Sequence, residues 1–110
     1  MNIADNFNQL RKGLLEFAVL EVVSSKKVYA ADILAKLQGT SFATGEGTLY
    51  PLLSRLKRDG FLEYSWAESD AGPPRKYYSL TPAGAERLKD VHQYWQELNT
   101  TLNKLGGRHE

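Results

Sequence analysis

Apolar side chains recur along this chain at two different periods, and the switch between them marks out its elements. Phe7, Leu10, Leu14 and Phe17 are spaced by 3, 4 and 3 residues, and Leu15, Ala18, Val19 and Val22 form a second stripe beside them. That spacing predicts a helix over residues 5–24 with two apolar faces. Two faces call for two partners. The later stripe suits the chain's own core, and the early part, around Phe7 and Leu10, suits another subunit or the last helix; packing of both within one subunit is the alternative. A polar turn, Ser24 to Lys27, leads to a short second helix, Ala30 to Leu37, with Ile33, Leu34 and Leu37 inward and Gln38-Gly39 as its stop. The connection from Gly39 to Thr44 is longer than the turn of the simplest helix-turn-helix. Leu49, Leu52, Leu53 and Leu56 then define a third helix, capped by Thr44 and ended by Asp59-Gly60. Pro51 lies inside it. There it removes a backbone donor and crowds the preceding turn, at about 3 kcal/mol in an ideal interior, so a bend or a tightened first turn is expected.

After Gly60 the pattern changes. Phe61 to Trp66 and Arg75 to Leu80 are rich in aromatic and aliphatic residues that suit a pleated surface, which predicts two strands. Ser69, Asp70, Gly72, Pro73 and Pro74 between them do not continue a strand pair and are expected to form the tip of a hairpin. Thr81 caps the final helix and Pro82 takes its first position. Leu88, Val91, Trp95, Leu98, Leu102 and Leu105 follow at separations of 3, 4, 3, 4 and 3, a heptad seam. Such a stripe lies beyond the compact part of the chain and predicts a second subunit, the alternative being a helix folded back on its own domain. Gly106-Gly107 ends the helix, and Arg108 to Glu110 is expected to fray. The fold class is therefore mainly α with a small β-hairpin: a winged helix-turn-helix over residues 1–80, then a dimerisation helix over residues 81–106.

A helix followed by a hairpin is the reading half of such a fold, with the helix in the DNA major groove and the wing against the flanking backbone. With Leu49 inward, the outward side of the third helix carries Thr44, Gly47, Pro51, Ser54 and Arg58, with Thr48, Tyr50 and Arg55 at its edges. Arg55, Lys57 and Arg58 suit phosphate or guanine, and Thr48, Tyr50 and Ser54 offer hydroxyls. Arg75 and Lys76 place further cations on the wing. The plainer alternative is an ordinary solvated helix face.

Charge alone does not decide between these. The net charge is +1, and from residue 44 to 80 five Lys and Arg offset five Asp and Glu, so nucleic-acid binding must rest on where the charges point. With 42% hydrophobic and 25% charged residues, the composition is that of a globular protein. The chain has no cysteine, which removes disulfides, thiolate zinc sites and cysteine nucleophiles. The most apolar run, Leu14 to Val23, is interrupted by Glu16 and Glu21 and is too short to cross a bilayer. No signal peptide is recognisable, so a cytoplasmic location without membrane attachment is expected. The two histidines are isolated, no metal-ligand spacing occurs, and Gly45-Glu46-Gly47 lacks the flanks of a nucleotide-binding loop. No enzyme, metal or cofactor is predicted.

Two sequence blocks, EGTLYPLLSRLKRDGFLEYSW and GPPRKYYSLTPAG, closely resemble the signature of the PadR family of bacterial transcriptional regulators, and the likeness runs from Leu10-Arg11-Lys12-Gly13-Leu14-Leu15-Glu16 to about Leu88. The resemblance implies a homodimeric winged-helix protein that binds a palindromic operator in double-stranded DNA, usually a repressor released by a small molecule. It implies the short branch of the family, with a single C-terminal helix. Many members carry Gly-Tyr in the second helix where this chain has Ala30-Ala31, with Tyr29 two places earlier, so that tyrosine contact does not carry over. In multidrug-responsive members a tryptophan at the place of Trp95 stacks on flat aromatic ligands, which makes Trp95, with His92 and Phe7 as neighbours, the candidate effector site; the residue spacing by itself reads Trp95 as dimer core. A MarR-type regulator or a winged-helix module that binds protein are the alternatives, and the first lacks the Gly-Thr-Leu-Tyr-Pro and Pro-Pro-Arg-Lys-Tyr-Tyr blocks.

Overall fold

A computed structural model describes residues 7–24, 26–69 and 72–107. Its elements in order are α1 (Asn8–Ser24), β1 (Val28–Tyr29), α2 (Ala30–Leu37), α3 (Glu46–Arg58), β2 (Leu62–Ser69), β3 (Gly72–Leu80) and α4 (Pro82–Leu105). The predicted first two residues of α1, the hairpin residue Asp70 and the tail Arg108 to Glu110 lie outside the described residues. The second helix has the expected bounds.

One apolar cluster ties these elements together. Leu15, Val19, Leu20 and Val23 of α1 meet Ile33 and Leu37 of α2, Leu49, Leu53 and Leu56 of α3, and Val28, Leu62 and Tyr78 of the sheet. Leu20, Ile33, Leu49, Leu53, Leu56 and Leu62 are among its fully buried members, and each such side chain contributes about 1.5–3 kcal/mol by leaving water. α3 is therefore held by three leucines on one face, which leaves its other face free.

The sheet differs from the expected hairpin in two ways. It has three antiparallel strands in the order β1-β3-β2, because Val28 and Tyr29 pair with Tyr78 and Tyr77. A two-residue strand has too few residues to show a period. The hairpin is also longer than expected: Ser69 pairs with Gly72, and Pro73 and Pro74 belong to β3. Proline is tolerated there for a positional reason. β1 covers only Tyr77 and Tyr78, so the outer half of β3 has β2 on one side alone, and an irregularity between Ala67 and Ser69 lets β3 carry one extra residue where the prolines sit.

The cap of α3 is corrected as well. Gly45, extended at φ −102° and ψ 174°, is its N-cap, while the Thr44 carbonyl accepts a hydrogen bond from Gln38 Nε2 at 3.1 Å. The Gly45 carbonyl accepts from both Thr48 N (3.2 Å) and Leu49 N (3.0 Å), a tightened first turn just ahead of Pro51. At the other end, Thr81 Oγ1 accepts from Gly84 N (2.9 Å) and donates to the Gly60 carbonyl (2.6 Å). The start of α4 is thereby locked to the turn that follows α3. Gly84 makes this possible: a Cβ there would sit 2.0 Å from the Phe61 carbonyl oxygen.

α4 is the long axis of the molecule. Its 24 residues span about 36 Å at 1.5 Å per residue. The radius of gyration is 16.3 Å, against about 13 Å for a compact chain of this size, because the helix runs past the rest. Leu88, placed in the dimer seam by its spacing, is instead buried in the subunit's own core, since it lies in the part of α4 that still packs on the sheet and α1. Beyond it Val91 is half-buried, and Trp95, Leu98, Leu102 and Leu105 are exposed, as are Phe7 and Leu10 at the start of α1.

Candidate nucleic-acid interface

The face of α3 opposite its three buried leucines carries the side chains named from the sequence. Gly47, Thr48, Tyr50, Pro51, Ser54, Lys57 and Arg58 are all exposed, and Thr44 is half-buried just before the helix. Small or hydroxyl-bearing residues thus occupy the first two turns, and cations occupy the last. The basic last turn also suits the negative end of the helix dipole.

Arg55 is placed differently from the other two cations. Its guanidinium lies 3.8 Å from Glu16 of α1 and 4.0 Å from Asp59 one turn on, at the α1 side of the helix. Lys57 lies on the opposite, wing side, with Nζ 5.1 Å from the centre of the Tyr64 ring.

The wing separates its two neighbouring cations. Along β3 successive side chains alternate faces, so Lys76, opposite Trp66, and Arg75, opposite Ala67, point away from each other. Lys76 Nζ sits 4.4 Å from the Tyr64 ring centre and 5.5 Å from that of Trp66. Lys57 and Lys76 therefore converge on one tyrosine, from α3 and from the wing. The negative face of the ring attracts both ammonium groups, so two positive charges are held side by side. Trp66 itself is 62% exposed. On the other face, the Arg75 guanidinium lies 4.9 Å from the Tyr29 ring centre, and the Tyr29 and Tyr77 hydroxyls are hydrogen-bonded. That hydrogen bond comes first among the causes that push Tyr77 above the usual tyrosine range, followed by burial. Burial raises Tyr78 in the same direction. Both hydroxyls are therefore protonated at neutral pH.

The structure thus joins Lys57 and Lys76 into one patch and splits Arg75 and Arg55 away from it. Sequence reasoning overlooked Tyr64, Trp66, Tyr29 and Glu16. The alternation of Leu62, Tyr64 and Trp66 along one strand face was the available signal for two of them; nothing local pointed to Glu16.

A second candidate site lies between α1, the α2–α3 connection and α4. A cleft of about 520 Å³ is lined by Leu14, Phe17, Ala18, Val22, Leu37, Phe42 and Trp95, with Glu21, Lys36 and Thr40 at its polar positions. His92 borders it through Glu21, to which its Nε2 is hydrogen-bonded, and through Phe17, whose ring it meets edge-on at 4.9 Å. Phe7, the third residue named for an effector, does not line this cleft within the subunit. Among the described residues no group of three His, Cys, Asp or Glu side chains could hold a metal ion, and no helix is long and apolar enough to cross a membrane.

The sequence profile of the transcriptional regulator PadR-like family matches residues 19–90. A solved PadR-like transcription factor from Bacteroides fragilis is 46% identical, with 92% of this chain and 98% of that one covered and a TM-score of 0.79. A transcriptional regulator of Mycobacterium tuberculosis is 29% identical over 100 residues, 91% of either chain. The solved structure of Bacillus subtilis PadR in complex with operator DNA shares the fold at 23% identity and a TM-score of 0.66, over 71% of this chain and 46% of that one.

Proposed function

The chain belongs to the PadR-like family of transcriptional regulators, and from that premise we propose that it is a homodimer that reads a palindromic operator in double-stranded DNA. The observation that carries the DNA reading is the convergence of Lys57 and Lys76 on Tyr64, beside an exposed α3 face of small and hydroxyl-bearing residues. Such a surface presents hydroxyls and close-approach positions to base edges and cations to the adjoining phosphates. This matters because the near-balanced total charge would otherwise leave DNA binding unsupported. Thr44, Thr48, Tyr50, Ser54 and Arg58 take the groove, and Lys57, Arg75 and Lys76 take the backbone; Arg55 is the subject of the next subsection.

Dimerisation rests on the apolar seam of α4. Val91, Trp95, Leu98, Leu102 and Leu105, with Phe7 and Leu10 of α1, form the surface that a second copy covers. Two-fold symmetry then sets two α3 helices roughly 34–36 Å apart, one turn of DNA. The regulator works in the cytoplasm as a repressor, and a small planar aromatic molecule relieves it by entering the cleft beside Trp95 and His92, with Phe7 of either subunit closing it. The aromatic and aliphatic lining of that cleft, with one acid and one base at its polar positions, favours this class of ligand.

Gel shift with the promoter region of the protein's own gene, run beside sedimentation of the free protein, tests the reading. A retarded complex and a dimer at micromolar concentration are expected; a monomer indifferent to the duplex defeats it. A module that binds protein instead would sediment as a dimer yet leave every duplex unshifted. For the effector, planar aromatic drugs should quench tryptophan emission, and the response should vanish in Trp95→Ala.

A further inference from the structure

Three helices meet at one carboxylate. Glu16 of α1 places Oε2 3.8 Å from Arg55 Nη2 of α3 and Oε1 3.6 Å from Arg87 Nε of α4. Its side chain is only one-fifth exposed, while both arginine side chains are nearly half exposed. Arg55 has Asp59 as a second acidic neighbour, at 4.0 Å, and Arg87 also lies 5.4 Å from the centre of the Phe61 ring. We propose that Glu16 is a positioning residue for DNA binding: it parks the Arg55 guanidinium at the edge of the recognition helix, in competition with DNA phosphate, and its hold is shared with Arg87 of the dimerisation helix. This rests on the DNA-binding reading above.

The distances carry the idea. At 3.6–4.0 Å these contacts neutralise charge but exceed hydrogen-bond length, so the guanidinium's rigid fork of N–H donors is not consumed by them. A phosphate needs those donors for shorter, charge-assisted bonds, and it must draw the guanidinium out of the ion pair with Glu16 to obtain them. Glu16 thus lowers the cost of carrying an arginine beside the groove when no DNA is present, and it subtracts one contact's worth of attraction when DNA arrives. Because Arg87 draws on the same carboxylate, any shift of α4 that removes Arg87 leaves Glu16 wholly to Arg55. That gives the dimerisation helix an electrostatic line to the reading helix.

The test measures binding of a fluorescently labelled random-sequence duplex, which reads the phosphate term without knowledge of the operator, across a salt series. Glu16→Gln should bind about 2- to 5-fold tighter, and its plot of log K against log salt should steepen by about 0.9, one additional phosphate contact. In an Arg55→Ala background the gain should disappear. Arg87→Gln should act in the opposite direction, weakening binding by about 2-fold. Wild-type affinity and slope in a Glu16→Gln protein that unfolds at the wild-type temperature overturns the proposal, as does a gain that survives Arg55→Ala. Should Glu16→Gln fail to fold, the Arg87→Gln arm decides: tighter or unchanged binding overturns it. A wild-type protein that binds no duplex even at low salt overturns the DNA-binding reading itself, a result distinct from all of these.

Discussion

The two ends of α4 are built from the same residue types at the same spacing, yet only one of them finds its cover within the subunit. Leu88 near the start is 8% exposed and belongs to the winged core, whereas Leu105 at the end is 79% exposed, with Leu102 at 61% just before it. A seam of period 3.5 says that a face must be covered and leaves open by what. The first turns of α4 are held on the Gly60–Phe61 turn by Thr81 and by the close approach at Gly84; past Trp95 the rest of the subunit runs out, and the same pattern faces water, the surface proposed above for a second copy.

The largest expected effect breaks the core end of that comparison. Leu53→Ala removes a fully buried side chain of α3, and the cavity should cost about 2–5 kcal/mol in urea unfolding, taking DNA binding with it. Breaking the other end should spare the fold and lose the assembly. Leu98→Asp with Leu102→Asp should raise the dimer dissociation constant by about 100-fold or more, equivalent to about 2.7 kcal/mol, while circular dichroism stays helical; a dimer that persists in sedimentation would place the interface elsewhere. Gly84→Ala, in the first turn of α4, should cost about 1–3 kcal/mol, because the new Cβ meets a backbone carbonyl that cannot rotate away. The smallest effect sharpens the electrostatics of the wing. Arg75→Ala with Lys76→Ala should weaken binding to all duplexes and flatten the salt slope by about 1 per phosphate lost. Of the two single variants, Lys76→Ala should account for more of the loss, since it shares its ring with Lys57 of α3; equal slopes in wild type and double variant would remove the wing from the interface.

How much of this was legible beforehand depended on the range of the interaction. Ala30 to Leu37 and the leucines of α3 follow from helical spacing, and Thr81-Pro82 follows from capping chemistry, all within a few residues. Side-chain preference points to Thr44 as the cap of α3, while the backbone geometry puts the cap at Gly45. The prolines of the wing look like a stop because their tolerance depends on an open strand edge, and that edge exists only because β1 ends its pairing at Tyr77 and Tyr78. Arg55 groups with Lys57 and Arg58 by charge, and the helical wheel sets it at the edge of the outward face; the acid that turns it aside is Glu16, 39 positions earlier in the chain.

By itself, then, the order of residues determined the four helices and the wing hairpin, which face of each helix is apolar, and the two blocks that mark the family, because periodicity and capping are local. The tertiary structure decided which apolar face is satisfied within the subunit, that adjacent Arg75 and Lys76 serve opposite faces of the wing, and that three helices share one carboxylate. Those outcomes depend on distances between segments far apart in the chain, and no local spacing encodes them.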